Sequence, residues 1–176
     1  MEFEVLESTE VFEGKIFKVR RNKVRYPDGR VATLDVLGHS GAVVLLPFDE
    51  DRVVWFVRQY RAAVGGMFLE LPAGTLEEGE EPEACARREI REEIGMAAVK
   101  MQKIGEFYPV PGYSTEYMHV YLATGLIPDP LEGDQDEYIE IEKYPLAEAY
   151  RMMENGEIID GKTIAALGLA RKYLPY

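Results

Sequence analysis

Short runs of apolar residues, some alternating with polar ones, divide the chain into candidate strands. Alternation is loose over residues 15–24 and 31–37, and the turn sequence YPDGR at 26–30 separates these two runs. From Gly41 onward the apolar runs become denser and predict buried strands. The predicted strands are AVVLLP (42–47), VVWFVRQY (53–60), MFLELPAG (67–74) and MHVYLA (118–123). The first two of these flank the acidic turn DEDR and predict a buried hairpin.

Helices are predicted in the middle and at the end of the chain. Residues 82–94 form one, because Pro82 suits the first turn of a helix and Gly95 suits its C-terminal stop. PLAEAYRMME (145–154) and KTIAALGLARKYL (162–174) predict two more. Strands, a central helix, further strand and terminal helices are typical of an α+β fold with a mixed sheet between helices.

The N-terminal part differs from the rest in its apolar content. Residues 1–39 predict a small antiparallel β region, and residues 40–176 predict the main domain. The N-terminal region has few large apolar residues for its length, so we do not expect it to bury a core alone. It is expected to pack on something else, such as another subunit.

Composition and charge exclude several classes of protein. The chain is 47% apolar and 30% charged, which is typical of a soluble globular protein. It lacks the roughly 20 successive apolar residues of a membrane span and begins with an acidic stretch unlike a secretory signal. Cys85 is the only cysteine, which excludes an intrachain disulfide and fits a reducing cytoplasm. A net charge of −12 argues against a nucleic-acid partner, whereas cations at an acidic site permit a small phosphorylated ligand.

Glutamates cluster on one side of the predicted central helix. Glu89, Glu92 and Glu93 fall within about 100° of arc on an ideal helix, while apolar residues recur every four positions on another side. Clustered carboxylate oxygens suit Mg²⁺ or Mn²⁺. The alternative is an ordinary solvated acidic helix.

The spacing around this helix is more specific than its charge. Gly74, five residues, Glu80, seven residues and REIREEIGM (88–96) match the Nudix box G-x5-E-x7-R-E-U-x-E-E-x-G-U, where U is bulky and aliphatic. The chain therefore resembles the Nudix hydrolases, which cleave a nucleoside diphosphate linked to another moiety. The resemblance implies a Nudix-type α/β/α sandwich and bound divalent ions, Mg²⁺ with Mn²⁺ as the alternative. The metal ligands that it implies are the carbonyl of Ala73 and the carboxylates of Glu80, Glu89, Glu92 and Glu93.

Sequence outside the box resembles the ADP-ribose pyrophosphatase branch of this family. Pro111 lies sixteen residues beyond Gly95, and PGYSTE (111–116) is similar to the catalytic loop of that branch. The resemblance implies that Glu116 is the general base or orients the attacking water. A box glutamate, Glu93 or Glu92, is the alternative catalytic residue, and a plain turn with an exposed glutamate is the structural alternative.

The same resemblance suggests residues that contact the substrate. Arg61 matches an arginine that binds substrate, and guanidinium groups are well shaped for phosphate oxygens. Arg58 either shares this role or is a charge at the end of a strand. Glu70 either helps to position substrate or pairs with a nearby arginine.

The activity implied is Mg²⁺-dependent hydrolysis of ADP-ribose to AMP and ribose 5-phosphate in the cytoplasm. Two alternatives remain: hydrolysis of another nucleoside diphosphate sugar such as GDP-mannose, and a sensing domain that binds ADP-ribose without turnover. No nucleic-acid or membrane partner is expected. The branch also implies a homodimer whose N-terminal arms, residues 1–39, contact the partner's substrate.

Overall fold

The chain divides into two units. A computed structural model describes residues 2–133 and 138–174. The first unit contains the described residues up to Gly41 together with Tyr108–Tyr117, and the second contains Ala42–Phe107 and the residues from Met118 onward. The domain boundary predicted between residues 39 and 40 stays a prediction.

A three-stranded antiparallel sheet forms most of the first unit, which confirms the predicted small antiparallel β region, although no apolar run had indicated its first strand. Its strands are β1 (Glu4–Glu13), β2 (Lys18–Arg25) and β3 (Val31–Gly38), with β2 in the middle. The predicted turn joins β2 to β3, and Gly29 there adopts a φ of 86°, which glycine tolerates. All residues of β1 are exposed, in keeping with the thin apolar content of this region.

The segment Tyr108–Tyr117 is hydrogen-bonded to the end of β3. The amide of Leu37 donates to the carbonyl of Tyr113 (2.7 Å), and the amide of Thr115 donates to the carbonyl of Leu37 (2.9 Å). The loop that contains Glu116 is therefore attached to the first unit.

A seven-stranded mixed sheet forms the second unit. The strand order is β10–β5–β4–β9–β8, with β6 beside β5 and β7 beside β4; β4 and β9 are parallel, and the other pairs are antiparallel. The strands are β4 (Ala42–Phe48), β5 (Val53–Arg61), β6 (Gly66–Glu70), β7 (Ala73–Thr75), β8 (Met96–Phe107), β9 (Met118–Pro128) and β10 (Ile139–Pro145).

Helices cover both faces of this sheet. They are α1 (Pro82–Ile94), α2 (Leu146–Glu154) and α3 (Gly161–Ala170). Val43 and Leu45 of β4 belong to the core layer shared with α1, whereas Val44 and Leu46 belong to the layer shared with α2 and α3. A central strand buried on both faces accounts for the continuous apolar run of β4. The predicted α/β/α sandwich is confirmed. Among the described residues no helix has the length and apolar character needed to cross a membrane.

The predicted strand at residues 67–74 is wrong in one respect, because the chain forms two short strands there. β6 pairs with β5, whereas β7 pairs with β4, so the chain changes partner between them. Pro72 lies at this change, where a residue without an amide hydrogen interrupts a ladder least. The predicted β4–β5 hairpin forms, with Phe48 opposite Val54 beside the turn.

Two strands of the seven-stranded sheet, β8 and β10, were not predicted, and one helix is shorter than predicted. β8 contains several Ala, Lys and Met residues, which have little preference for strands, yet it pairs along most of β9. β10 pairs with β5. The last helix ends at Ala170, whose carbonyl accepts from the amides of Tyr173 and Leu174 in a final turn.

Candidate functional site

The helix α1 presents its glutamates away from its buried side. Proline at its N-terminus and Gly95 at its C-terminus, with a φ of 68°, set its limits. Its buried residues are Cys85, Ala86, Ile90 and Ile94. Because these residues anchor the helix to the sheet, the remaining face is available for polar side chains.

Gly74 in β7 lies directly beside the side chain of Glu89. A Cβ atom built on Gly74 would lie 1.8 Å from Cδ of Glu89, a distance that no real contact allows. Any side chain at position 74 would therefore force Glu89 to move from the space that it fills over the strand. This contact joins β7 to α1.

Arg88 connects three of the predicted metal ligands. Its guanidinium donates to Glu80 twice (both 3.0 Å), to Glu89 Oε1 (2.6 Å) and to Glu92 Oε2 (2.9 Å). The hydrogen bonds with Glu80 raise the pKa of Arg88 and lower the pKa of Glu80, so both stay charged. One internal cation thus offsets the repulsion among the carboxylates.

Glu93 is held by the first residue of β7. Its Oε2 accepts a hydrogen bond from the amide of Ala73 (3.1 Å). The carbonyl of Pro72 accepts from the amide of Leu45 (2.8 Å), and the amide of Leu71 donates to the hydroxyl of Thr163 (2.8 Å). The backbone of residues 71–73 is therefore fixed at three successive positions.

Glu70 forms a buried ion pair with the predicted substrate-binding arginine. It is 1% exposed, and Arg61 donates to its two oxygens from Nε (2.9 Å) and Nη2 (2.6 Å). Lys162 also donates to Glu70. Burial acts to raise the pKa of Glu70, but the Arg61 hydrogen bonds and the Lys162 charge outweigh it, and the pKa is lowered. Of the two roles predicted for Glu70, pairing with an arginine is what the structure contains.

Arg58 lies on β5 with Arg61 but has a different partner. Successive side chains of a strand point to opposite faces, so residues three apart diverge. Arg58 forms a bidentate ion pair with Glu142 of β10, and this pair raises the pKa of Arg58. A substrate contact by Arg58 stays a prediction.

Glu116 lies in the segment Tyr108–Tyr117 of the first unit, which is hydrogen-bonded to Leu37 at the end of β3. Its amide donates to the hydroxyl of Ser114 (3.1 Å), and the rings of Tyr108 and Tyr117 pack with centroids 4.6 Å apart. These contacts shape the loop around Glu116. Its catalytic role stays a prediction.

The segment GEIIDGKT (156–163) resembles the ADP-ribose pyrophosphatase branch in sequence, but sequence reasoning gave no role to its polar residues at the start of α3. Asp160 caps this helix and accepts from the amide (2.9 Å) and hydroxyl (2.6 Å) of Thr163. Lys162 bonds to Asp160 (3.0 Å) as well as to Glu70. An Asp three residues before a Thr is a recognisable helix-start signal, but nothing local indicates the contacts of these residues with β6.

The oxygen atoms around α1 suit a hard divalent ion. Glu80, Glu89 and Glu92 converge on one positive charge, that of Arg88, and carboxylates are the ligands that Mg²⁺ and Mn²⁺ prefer. Within residues 2–133 and 138–174, no set of three acidic, His or Cys side chains is already spaced as a metal cage. Arg88 bonds to one oxygen of Glu89 and one oxygen of Glu92, so an ion bound by these carboxylates either uses their other oxygens or competes with Arg88.

Two family models match the chain. The model described as NUDIX domain matches residues 38–167, and the model described as nucleoside diphosphate sugar hydrolase N-terminal domain matches residues 3–33. The two matches fall on the sheet-and-helix part and on the N-terminal strands, respectively.

Individual proteins are similar over nearly the whole chain. The ADP-ribose pyrophosphatase of Bacillus subtilis is 35% identical over 169 residues, which cover 95% of this chain and 91% of that protein. The ADP-ribose pyrophosphatase of Mycobacterium tuberculosis is 38% identical over 169 residues, which cover 94% of this chain and 82% of that protein. The crystal structure of an ADP compounds hydrolase matches with a TM-score of 0.88 at 23% identity, covering 99% of this chain and 95% of that chain. At this identity the structural likeness supports the fold alone.

Proposed function

This chain belongs to the Nudix hydrolase family, and from that premise we propose that it hydrolyses ADP-ribose to AMP and ribose 5-phosphate. The observation that carries the choice of substrate is the similarity to two ADP-ribose pyrophosphatases over nearly the whole chain. The N-terminal match to a nucleoside diphosphate sugar hydrolase domain supports the same class of substrate.

Nudix hydrolases generally use divalent metal ions, and we assign Mg²⁺ to this site, with Mn²⁺ as the alternative. When bound, such ions neutralise diphosphate charge and activate water for attack on phosphorus. The proposed ligands are the carbonyl of Ala73 and the carboxylates of Glu80, Glu89, Glu92 and Glu93. Support comes from Gly74, which leaves room for Glu89, and from Arg88, which gathers three of the carboxylates.

Arg61 is proposed to bind an oxygen of the diphosphate. Its Nε and Nη2 are engaged by Glu70, so the plane and direction of the guanidinium are fixed before substrate arrives. An arginine held in this way loses little conformational freedom on binding. Glu70 is therefore a positioning residue for Arg61.

Proton transfer is proposed to involve Glu116. The oxygen of the attacking water forms a bond to phosphorus, its proton passes to the base, and the bridging P–O bond breaks to release AMP and ribose 5-phosphate. Glu93 is the alternative base; its Oε2 is bonded to the amide of Ala73. The test is the pH dependence of kcat in the Glu116→Gln variant. If it equals that of wild type, Glu116 is not the base.

Release of AMP from ADP-ribose tests the proposed function. Wild type with Mg²⁺ should produce AMP. Glu92→Gln should reduce AMP release by roughly 100-fold or more, because loss of a supporting group alone costs about 10–100-fold and Glu92 is a proposed ligand. Glu83→Gln is the matched control, since Glu83 lies on α1 and pairs with Arg87. It should keep wild-type activity. No AMP from wild type would contradict the proposal.

A substrate panel separates the alternatives. ADP-ribose, GDP-mannose, NADH and diadenosine polyphosphates are compared at equal concentration, and the highest kcat/KM is expected for ADP-ribose. Preference for another compound would overturn the choice of substrate within the same family. Tight binding of ADP-ribose without AMP release would favour a sensing domain.

We infer a homodimer that assembles through the N-terminal strands, in the cytoplasm and without nucleic-acid or membrane partners. Large apolar residues are exposed on β1 and β3, and exposed apolar patches often mark interaction sites between proteins. They include Val5, Val11, Phe12, Val31 and Leu34. The net charge of −12 opposes binding to nucleic acid.

A further inference from the structure

The first turn of α3 contacts two separate parts of the proposed active site. Residues 160–163, here called the DGKT turn, lie at the N-terminus of this helix. Lys162 bonds to Glu70, which holds Arg61, and Thr163 bonds to the backbone that leads into Ala73. The turn lies outside the Nudix box, and the mechanism above gives it no role.

Lys162 contributes a positive charge beside Glu70. Its side chain is only 10% exposed and bonds to both Glu70 and Asp160. Oε2 of Glu70 therefore accepts from both Lys162 and Arg61, whereas Oε1 accepts from Arg61. Without Lys162, the carboxylate would be neutralised by Arg61 alone, and less of the arginine's charge would remain for a phosphate.

Thr163 fixes the position of the backbone at Leu71. Thr163 is fully buried, and its hydroxyl donates to Asp160 while it accepts from the amide of Leu71. Two residues later, the amide of Ala73 donates to Glu93. The hydroxyl thus fixes one end of a short backbone segment whose other end lies against a box glutamate.

The sequence Gly-Lys-Thr at a helix start invites a different interpretation, a phosphate site, which the contacts exclude. The carboxylate of Asp160 already accepts from the amide and hydroxyl of Thr163 and from Lys162. An anionic cap at this position repels a second anion. The polar groups of the turn are directed to the protein itself.

We propose that the DGKT turn is a positioning element for hydrolysis, in which Lys162 tunes Arg61 through Glu70 and Thr163 places Ala73 through the backbone of Leu71. The inference rests on the proposed function. It assigns different consequences to the two residues: Lys162 affects binding of the diphosphate, and Thr163 affects metal binding and the chemical step.

Thr163→Val and Thr163→Ser test the positional contact, because valine keeps the shape and serine keeps the hydroxyl. Thr163→Val should lower kcat by roughly 10–100-fold, as losses of supporting hydrogen bonds at metal sites do. It should also weaken binding of Mn²⁺ alone, measured by titration calorimetry without substrate. Thr163→Ser should restore both. Equal kcat and Mn²⁺ affinity in the valine and serine variants would overturn this contact.

Lys162→Met and Lys172→Met test the charge contact, because each removes one positive charge and Lys172 is exposed. Lys162→Met should raise KM for ADP-ribose by about tenfold, the loss expected for one weakened charged hydrogen bond. Its Mn²⁺ affinity should stay at the wild-type value, and Lys172→Met should leave both quantities unchanged. A KM like wild type, or a parallel fall in kcat and Mn²⁺ affinity, would overturn the proposal.

The outcomes separate failure of the positioning role from failure of the proposed function. If Thr163→Val does not fold, the Lys162 pair decides alone, since it predicts a separated change in KM. If wild type releases no AMP from ADP-ribose, the proposed function fails. If wild type releases AMP and the variants match it, only the positioning role fails.

Discussion

At the scale of single residues, Glu70 shows how a buried charge is kept stable. Its carboxylate is 1% exposed, and desolvation of an unpaired charge at such a place would be costly. Two cations, Arg61 and Lys162, offset that cost by direct hydrogen bonds. Removal of the acid takes the ion-pair partner from Arg61 and leaves Lys162 paired with Asp160, and loss of one member is the most destabilising way to break a buried pair.

Glu70→Gln should therefore lower the free energy of unfolding by about 3–5 kcal/mol at pH 7. The pKa of Glu70 is lowered in the folded chain, so its stabilising contribution is complete above the unfolded value of 4.5 and is lost as pH falls through the folded value. The difference between wild type and variant should shrink below pH 4.5. Urea unfolding at pH 7 and at several pH values below 4.5 measures it. A difference independent of pH would contradict the ion pairing.

Gly74 matters because its lack of a side chain leaves space for Glu89. The space that a Cβ atom would need is filled by Glu89. The spacing of the box identified this glycine from the sequence, but only the structure gives the physical reason. A substitution here acts on the acidic cluster through contact with Glu89.

Gly74→Ala should reduce AMP release by about 100-fold or more, because displacement of a proposed metal ligand by an ångström or more costs that much. Gly168→Ala is the matched control, since a Cβ atom on Gly168 of α3 meets nothing within 4 Å. The control should keep its activity and gain about 0.5–1 kcal/mol of stability. Similar activity in both variants would refute the steric argument.

At the scale of elements, the sequence predicted a helix or strand correctly where residues within that element indicate its type and its ends. The limits of α1 and its acidic face follow from Pro82, Gly95 and the period of a helix, and the sequence predicted them correctly. β8 was missed because its residues favour strands weakly and pairing with β9 stabilises it. Contacts between distant parts of the chain, such as Lys162 with Glu70 at a separation of 92 residues, had no signal in the sequence.

The acidic face of α1 leads to a prediction about divalent ions. Ion binding to the folded chain but not to the unfolded chain stabilises the fold by mass action. Millimolar Mg²⁺ should raise the Tm of wild type, and Glu92→Gln should lose most of that increase. Thermal scans with Mg²⁺ and with a chelator measure it, and Glu83→Gln should behave like wild type. Equal gains in wild type and Glu92→Gln would count against the metal site.

At the scale of the whole molecule, the two units differ in how much core they contain. The second unit buries two apolar layers around its sheet, whereas β1 of the first unit is exposed along its length. The sequence already indicated this contrast through the scarcity of large apolar residues before Gly41. Which residues share a sheet face became clear only from the pairing of β1, β2 and β3.

Val5→Glu should weaken the proposed dimer. Val5 is 59% exposed and lies opposite Val24, so a charge there would be buried in an interface built on this face. Thr9→Glu is the control on the same strand, opposite Arg21. Light scattering at micromolar concentration should give twice 20.0 kDa for wild type and control, and a lower mass for Val5→Glu. A mass of 20.0 kDa for wild type would contradict the proposed dimer.

The hydrogen bonds of Arg88 with three glutamates have a consequence for handling the enzyme. Folding of α1 does not have to wait for ions, since the chain carries its own counter-charge for the acidic cluster. Preparations stripped with a chelator should therefore stay native and recover full turnover within the time of mixing once ions are returned. Ion binding is then expected to be a reversible adjustment of glutamate side chains on a helix that has already folded, separate from the assembly of the protein.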